Sequence, residues 1–254
     1  MRLHFQSIGQ GEPLVILHGL FGSADNWRSI AKALSSERQV ISVDLRNHGR
    51  SFHHSQQTFD LMAEDLLNLL DHLGLSVIDL LGHSLGGKTA MQFSQNFTDR
   101  LRKLIIVDIA PRQYADEHSQ IFKALLAQDL SKFSTRSQVS DALAEALPDP
   151  QVRQFLLLNL QKDDNGLSWR INLQGLFCNY PGLLQSVSPE NSIELPALFL
   201  SGSKSDYVTD DDWLQIKSLY PQAEYVVIDG AGHWVHAEKP DAFIQQVNRF
   251  LADD

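Results

Sequence analysis

Short apolar runs alternate with helix-like segments along most of this chain. Six of these runs are rich in Val, Ile and Leu and are bounded by polar or glycine-containing stretches, which predicts strands. Their nearly continuous apolarity is typical of parallel strands that are covered on both faces of a sheet. The six predicted strands are residues 13–17, 39–43, 77–81, 104–107, 197–200 and 225–228.

Three amphipathic segments predict helices between and after these strands. One spans residues 58–73 and another spans 209–219, where Thr209 followed three residues later by Asp212 resembles a capping box. The last begins near Pro240 and carries an apolar stripe. Alternating strands and helices predict an open, mostly parallel α/β sheet flanked by helices. The stripe of the last helix consists of Phe243, Val247, Phe250 and Leu251.

One long interval, from residue 111 to residue 196, interrupts the alternation because it contains no convincing strand. Helical patterns over 117–127, 137–147 and 151–160 are followed by an aromatic-rich stretch. Helices without strands between them cannot continue a parallel sheet. We therefore predict that they form a helical cap over the ends of the strands.

The predicted organisation is a core of residues 1–110 and 196–254 with a cap of residues 111–195. Ligands of such sheets bind beyond the carboxyl ends of the strands, where the cap would lie. Several large apolar residues of the cap are therefore candidates for lining a pocket, and the alternative is that they pack the cap on itself. These candidates are Phe122, Phe155, Leu157, Trp169, Phe177 and Tyr180.

Composition excludes some classes of function. The net charge of −10 over 254 residues argues against binding of nucleic-acid phosphates. Cys178 is the only cysteine, so no intramolecular disulfide can form. The chain has no apolar stretch of signal-peptide or membrane-spanning type. We expect a cytoplasmic protein that does not insert into membranes, and the sequence leaves its oligomeric state open.

The most informative motif is Gly82-His83-Ser84-Leu85-Gly86, between a predicted strand and a helix-like segment. A serine on such a strand-to-helix turn projects its hydroxyl above the edge of the sheet. The backbone approaches its neighbours so closely there that residues without a Cβ are needed on both sides. The N-terminus of the following helix also favours developing negative charge. Ser84 is therefore the predicted nucleophile.

A serine hydroxyl is a weak nucleophile and needs a base within hydrogen-bond reach. His233 follows a predicted strand through a glycine-flanked loop, which brings its imidazole to the same sheet edge as Ser84. His236 could pair with His233 as a metal ligand. No further Cys, Asp or Glu accompanies them at zinc-ligand spacing, so we predict no metal site.

The negative charge that forms during acyl transfer needs two backbone N–H donors. Leu85, the residue after the nucleophile, supplies one of them. The loop after the first predicted strand, with Gly19 to turn the backbone, is expected to present the N–H of Leu20 as the other. His18 is then a scaffold residue.

The chain resembles the α/β-hydrolases of the esterase/lipase type, in particular the bacterial YbfF-like esterases and the mitochondrial abhydrolase-domain 11 proteins. This resemblance implies hydrolysis of carboxylic esters, with acyl thioesters such as acyl-CoA as an alternative, through an acyl-enzyme and without a cofactor. The substrate would be a small molecule. The residues that carry the resemblance are 18–23, 44–51, 82–88, 107–111 and 230–237.

The acid that orients the histidine has two candidates. Many α/β-hydrolases carry it as Asp-x-x-Val after the penultimate strand, but here the residue three before Val208 is Ser205. Asp206 is shifted by one position, which would turn its side chain away in an extended segment. Asp108 ends the preceding strand within a segment that the resemblance covers. We predict Asp108 as the acid, with Asp206 as the alternative.

Other chemistries on the same fold stay open at this point, namely carbon–carbon hydrolysis, lyase activity and cofactor-free haloperoxidation. A non-catalytic protein that binds a small molecule under the cap is a further alternative. A dehalogenase or an epoxide hydrolase is disfavoured, because those enzymes would carry a carboxylate at the position of Ser84.

Overall fold

A computed structural model describes residues 2–164, 166–189 and 191–252. Its centre is a sheet of seven strands: β1 (Phe5–Ile8), β2 (Glu12–Leu17), β3 (Arg38–Val43), β4 (Ile78–His83), β5 (Leu101–Val107), β8 (Ala197–Gly202) and β9 (Ala223–Ile228). Their order in the sheet is β1-β3-β2-β4-β5-β8-β9. Only β1 runs antiparallel to its neighbour. The predicted mostly parallel sheet is therefore confirmed.

All six predicted strands are present, and the sequence missed β1. This strand has the sequence FQSI and lies at the edge of the sheet, half-buried at its start and exposed at its end. An edge strand needs no continuous apolar run, so its sequence gives a weaker signal than the buried β4.

Helices cover both faces of the sheet. The flanking helices are α1 (Arg28–Leu34), α2 (Phe59–Leu73), α3 (Leu85–Asn96), α8 (Asp210–Leu219), α9 (Val235–Glu238) and α10 (Pro240–Ala252). Because side chains alternate between the two faces along each strand, the strands contribute to two apolar layers. Val15 and Leu17 of β2 pack in the layer with α2 and α3, whereas Leu14 and Ile16 pack in the layer with α1 and α10.

Two local predictions about these helices are confirmed. Thr209 accepts a hydrogen bond from the backbone N–H of Asp212, whose side chain bonds back, so α8 starts with a capping box. The predicted stripe of α10 is entirely buried. Helix α1, by contrast, was not predicted.

In its described residues, the interval between β5 and β8 holds four α-helices: α4 (Ser119–Leu126), α5 (Arg136–Leu143), α6 (Pro150–Leu156) and α7 (Leu173–Leu183). It also holds an antiparallel hairpin of β6 (Leu160–Asp163) and β7 (Gly166–Trp169). The prediction that this interval contains no strand was therefore wrong. Each hairpin strand has four residues, and β6, with the sequence LQKD, is mostly polar, so no apolar run marks it.

The helices of this interval share an apolar cluster of their own, built around Phe122, Leu143 and Leu176. Phe21 joins that cluster from the loop after β2. These contacts support our proposal that residues 111–195 form a cap on the core of residues 1–110 and 196–254. None of the helices in the described part of the chain is long and apolar enough to cross a membrane.

Candidate active site

The turn between β4 and α3 forces Ser84 into an unusual backbone conformation. Its φ is 53° and its ψ is −114°, values that a residue with a side chain rarely adopts. A Cβ on Gly82 would lie 2.2 Å from the carbonyl oxygen of Gly86, and a Cβ on Gly86 would lie 2.4 Å from that of Leu17. The two glycines of the motif are therefore required by close backbone contacts.

Ser84 stands at the N-cap position of α3, yet its side chain makes no capping hydrogen bond there. Its backbone N–H donates to the carbonyl oxygen of Val107, 3.1 Å away, which ties the turn to the end of β5. The hydroxyl therefore stays available to a substrate, beside the first N–H groups of the helix.

Asp108 follows the last residue of β5 and also has a left-handed backbone, with φ 50°. Its carboxylate is completely buried and accepts hydrogen bonds from the N–H of Gly202 at 3.1 Å and from Oγ of Ser205 at 2.5 Å. Its Oδ2 lies 2.7 Å from Nδ1 of His233. These donors hold a buried negative charge in one orientation.

His233 reaches the carboxyl edge of the sheet through the loop after β9. Because its Nδ1 faces Asp108, its Nε2 is turned away from the carboxylate. The ring of Tyr207 stacks on the imidazole with centroids 3.9 Å apart and an angle of 25°. The Tyr207 hydroxyl donates to Glu117 of the cap at 2.9 Å. The imidazole is thus fixed both at its edge and on one face.

Asp206, the alternative acid, is exposed, whereas Ser205 donates its hydroxyl to Asp108. Strands β5 and β8 are neighbours, so a carboxylate at the end of β5 and a side chain in the loop after β8 meet. Ser205 therefore stands where many α/β-hydrolases carry the acid, and it donates a hydrogen bond to Asp108, the carboxylate that contacts His233.

The loop after β2 is held by His18. The N–H at Nδ1 of His18 donates to the carbonyl oxygen of Gly19 at 2.7 Å, and the N–H of Gly22 donates to the same oxygen at 3.0 Å. A trans peptide group points its N–H opposite to its carbonyl, so the N–H of Leu20 points away from both donors. Leu20 lines the space above Ser84.

The segment from Asp44 to Ser51 braces this region, with the Asp44 carboxylate accepting hydrogen bonds from the N–H groups of Ala24 and Arg50. Nε of Arg46 lies 2.6 Å from the carboxylate of Asp65, and its other nitrogens donate to the carbonyl oxygens of Gln56 and Leu61. Arg46 is buried, which fits a structural role rather than contact with a substrate.

Burial keeps several histidines around the site uncharged. Loss of hydration lowers the pKa of His48 and of His236 to about 3, and it lowers the pKa of His83 well below its ordinary value. His236 stacks on Trp27 with ring centroids 4.0 Å apart. In the described residues, no group of three or more His, Cys, Asp and Glu side chains is placed to hold a metal ion.

Two cavities meet at Ser84. The larger has a volume of about 240 Å³ and the smaller about 50 Å³. Phe155 lines the larger cavity and Tyr180 lines the smaller one. Trp169 and Phe177 line neither of these two cavities, so for them the alternative of packing within the cap applies.

Trp169 and Phe177 pack on the cap cluster instead, and Phe122 and Leu157 are buried inside it. The sequence identified these residues as apolar but contained no signal for which side of the cap they face. For four of the six candidates, packing of the cap on itself is the observed arrangement.

Besides Tyr207, sequence reasoning missed two polar residues beside Ser84. His118 precedes α4 and lines both cavities. The hydroxyl of Tyr180 accepts a hydrogen bond from the His118 N–H and lies 2.9 Å from its Nδ1. Burial lowers the pKa of His118, so the ring is uncharged at neutral pH.

Lys88, one turn after Ser84 in α3, is the other residue missed. It is buried, and its Nζ donates to the carbonyl oxygens of Leu184 and Gln185 in the cap. Loss of hydration, aided by the charge of Arg112, lowers its pKa to about 7. In the sequence, Lys88 is marked only by its place directly after Gly86 and Gly87 of the serine motif.

The sequence model of the alpha/beta hydrolase fold family matches residues 12–240. The chain belongs to the α/β-hydrolase family. This hydrolase is 37% identical over 249 residues to a protein of Escherichia coli K12 named esterase YbfF, covering 98% of this chain and 96% of that protein.

Two further similarities cover nearly all of this hydrolase. It is 38% identical to a protein of Danio rerio named sn-1-specific diacylglycerol lipase ABHD11, over 97% of this chain and 80% of that protein. A solved structure titled marine microorganism esterase superposes with a TM-score of 0.96 at 41% identity, covering 98% of this chain and 99% of the other.

Proposed function

We propose that this protein is a serine esterase that cleaves carboxylic esters through an acyl-enzyme formed on Ser84. In this proposal His233 is the base, Asp108 orients it, and the N–H groups of Leu20 and Leu85 bind the oxyanion. The observation that carries the proposal is the 2.7 Å contact between Asp108 and His233 beside a serine held in a left-handed turn.

The first half-reaction begins with attack of the Ser84 hydroxyl on the ester carbonyl carbon. Nε2 of His233 accepts the hydroxyl proton as the new C–O bond forms. The imidazolium then gives this proton to the alcohol oxygen as the original C–O bond breaks. Asp108, which accepts Nδ1–H, keeps Nε2 free and stabilises the imidazolium.

The carbonyl oxygen carries a negative charge while the carbon is tetrahedral. Leu85 is the first residue of α3, so its N–H has no partner within the helix. The N–H of Leu20 comes from a peptide whose carbonyl is fixed by two donors. Two such preorganised donors stabilise the oxyanion, and one of them is typically worth about 10²–10³ in kcat.

Water attacks the acyl-enzyme in the second half-reaction. His233 now removes a proton from the water and returns it to Ser84 as the carboxylic acid leaves. The products are one acid and one alcohol, and no cofactor or metal takes part. Fixed geometry and fixed dipoles supply the stabilisation of the transition state.

The names of the relatives support ester substrates, since the Escherichia coli protein is named an esterase and the Danio rerio protein a diacylglycerol lipase. Thioesters stay an alternative for this chain. The predicted cytoplasmic location and a small-molecule substrate belong to the proposal as well.

Labelling with a fluorophosphonate tests the proposal. The reagent is expected to add to one site, in a peptide that contains Ser84, and the Ser84→Ala variant is expected to stay unlabelled and inactive while remaining folded. A panel of aryl esters and acyl-CoA thioesters then separates esterase from thioesterase activity. Labelling at another residue, or an active Ser84→Ala protein, contradicts the proposed mechanism.

A further inference from the structure

The two cavities that meet at Ser84 differ in size and in their walls. Both include Leu20, His118 and Tyr207, so they join where the scissile bond would lie. The larger one is bounded by apolar cap residues such as Ile121 and Val152.

The catalytic groups are not shared equally between the cavities. His233 lines the larger cavity and is not among the residues that line the smaller one. Leu85, whose N–H is a proposed oxyanion donor, lines only the smaller cavity. Ser84 thus has its base on one side and this donor on the other.

Proton transfer decides which part of an ester occupies each side. As the tetrahedral carbon collapses, the bond between the carbonyl carbon and the alcohol oxygen breaks, and that oxygen takes the proton from Nε2 of His233. The alcohol oxygen must therefore lie next to His233. The acyl carbon stays bonded to Oγ of Ser84, and its chain extends away from His233.

We propose that the larger cavity holds the alcohol part of the substrate and the smaller cavity holds the acyl part. The preferred substrates are then esters of short acids with long or bulky apolar alcohols. This inference rests on the proposed esterase function and adds to it the direction in which the ester binds.

The volumes set the scale of this preference. The smaller cavity, at about 50 Å³, has about one fifth of the volume of the larger, at about 240 Å³. A short acyl group such as acetyl therefore needs less displacement of the surrounding side chains than an octanoyl group. This difference lowers the rate for long acids relative to short ones.

The residues around the smaller cavity are held in place, which makes the size limit effective. Lys88 donates to the carbonyl oxygens of Leu184 and Gln185, at 3.3 and 2.6 Å, and so ties α3 to the end of α7. Tyr114, another lining residue, donates its hydroxyl to the carbonyl oxygen of Tyr207 at 2.6 Å. Expansion of this space would break these contacts.

An isomeric pair of esters tests the direction of binding. Octyl acetate and ethyl octanoate have the same atoms and similar hydrophobicity, but their long chains lie on opposite sides of the carbonyl. We expect kcat/KM for octyl acetate to exceed that for ethyl octanoate by at least about tenfold, the scale on which a pocket discriminates a few methylenes. Equal values, or a preference for ethyl octanoate, overturn the inference.

Variants separate the two cavities. Ile121→Phe, which narrows the larger cavity, is expected to reduce kcat/KM several-fold more for octyl acetate than for ethyl acetate. Leu126→Phe is the matched control, because Leu126 is exposed on the same helix α4 and lines neither cavity. An equal loss with ethyl acetate, or an equal loss in the control, counts against the assignment.

Leu184→Ala, which widens the smaller cavity, is expected to raise the rate for ethyl octanoate relative to octyl acetate several-fold. Leu158→Ala is its control, because Leu158 is an exposed cap residue. An unchanged ratio in Leu184→Ala contradicts the assignment. If neither ester is hydrolysed and Ser84 is not labelled by a fluorophosphonate, the proposed esterase function fails; labelled, active protein with the reverse preference refutes the binding direction alone.

Discussion

Ser84 and Asp108 both adopt left-handed backbone conformations, at the ends of the adjacent strands β4 and β5. Such conformations cost about 1–3 kcal/mol for residues with side chains and persist only where the surroundings enforce them. Here the N–H of Ser84 bonds to Val107 and the N–H of Asp108 bonds to Leu200 at 2.7 Å. The strain turns both side chains out of the strands and toward the site.

Replacement of the acid tests its assignment at the scale of single residues. Asp108→Asn is expected to lower kcat by about 10⁴, because the amide favours the wrong imidazole tautomer. Asp206→Asn, the matched control, is expected to change kcat by no more than a few-fold, since Asp206 is exposed. Steady-state kinetics with an aryl acetate, together with thermal melting, measures both. An inactive Asp206→Asn beside an active Asp108→Asn refutes the assignment.

The buried histidines predict a specific loss of stability in acid. Burial lowers the pKa of His236 to about 3, whereas an unfolded histidine has a pKa of about 6.5. Between these values the unfolded chain binds the proton and the folded one does not. The stability from this residue is therefore complete above pH 6.5 and falls by about 1.4 kcal/mol per pH unit as the pH decreases toward 3.

His236→Phe keeps a ring against Trp27 and removes this titration. Urea unfolding at pH 7, 6 and 5 gives the slope of the free energy of unfolding against pH. We expect this slope to be smaller in the variant than in the parent by the equivalent of about one bound proton. The same slope in the variant and the parent contradicts the buried neutral state of His236.

At the scale of elements, the turn between β4 and α3 depends on glycines that lie against backbone atoms. Gly86→Ala places a Cβ 2.4 Å from the carbonyl oxygen of Leu17, and backbone atoms on both sides cannot yield without moving β2. We expect a loss of several kcal/mol of stability or no soluble protein, as for other strained backbone substitutions.

Gly182→Ala is the matched control, because Gly182 lies in α7 and a Cβ there meets no atom within 4 Å. This change is expected to leave stability unchanged or to raise it by up to about 1 kcal/mol. Urea unfolding compares the two variants with the parent. If the Gly86→Ala and Gly182→Ala variants are equally stable, the close backbone contacts described at Gly86 are contradicted.

How far the sequence predicts an element depends on how strongly burial constrains it. Strands β4 and β5 are buried along nearly their whole length, so apolar runs mark them. The hairpin of β6 and β7 is half exposed and leaves no such run. Trp169, at the end of that hairpin, shows that apolar character alone does not tell which surface a side chain contacts.

At the scale of the whole molecule, a parallel sheet brings distant segments together at one edge. Ser84, Asp108 and His233 each follow a strand. Sequence order and the rule for carboxyl ends predicted that Ser84 and His233 lie at one edge. The choice of Asp108 over Asp206 rested on the family resemblance. The contributions of His118, Tyr207 and Lys88 could not be predicted, because they depend on how the cap rests on the core. Strand pairing fixes which core residues are neighbours, whereas no such pairing fixes the position of the cap helices relative to the sheet.

Chelation tests the whole mechanism for a metal requirement. The proposed steps use only side chains and backbone N–H groups, so dialysis against EDTA is expected to leave kcat/KM for an aryl acetate within experimental error. The control is the same dialysis without EDTA. Loss of activity that zinc restores would contradict the mechanism.

The central claim is that an acyl group is transferred to Ser84, and trapping it is the most direct test. Protein mixed with an aryl acetate, quenched in acid within the first turnovers and digested, is examined by mass spectrometry. We predict one acetyl group, on Ser84, which appears at the rate of the initial burst and disappears as turnover ends. Turnover of the ester with Ser84 unmodified throughout, or an acetyl group that forms equally fast at another residue, would contradict the account.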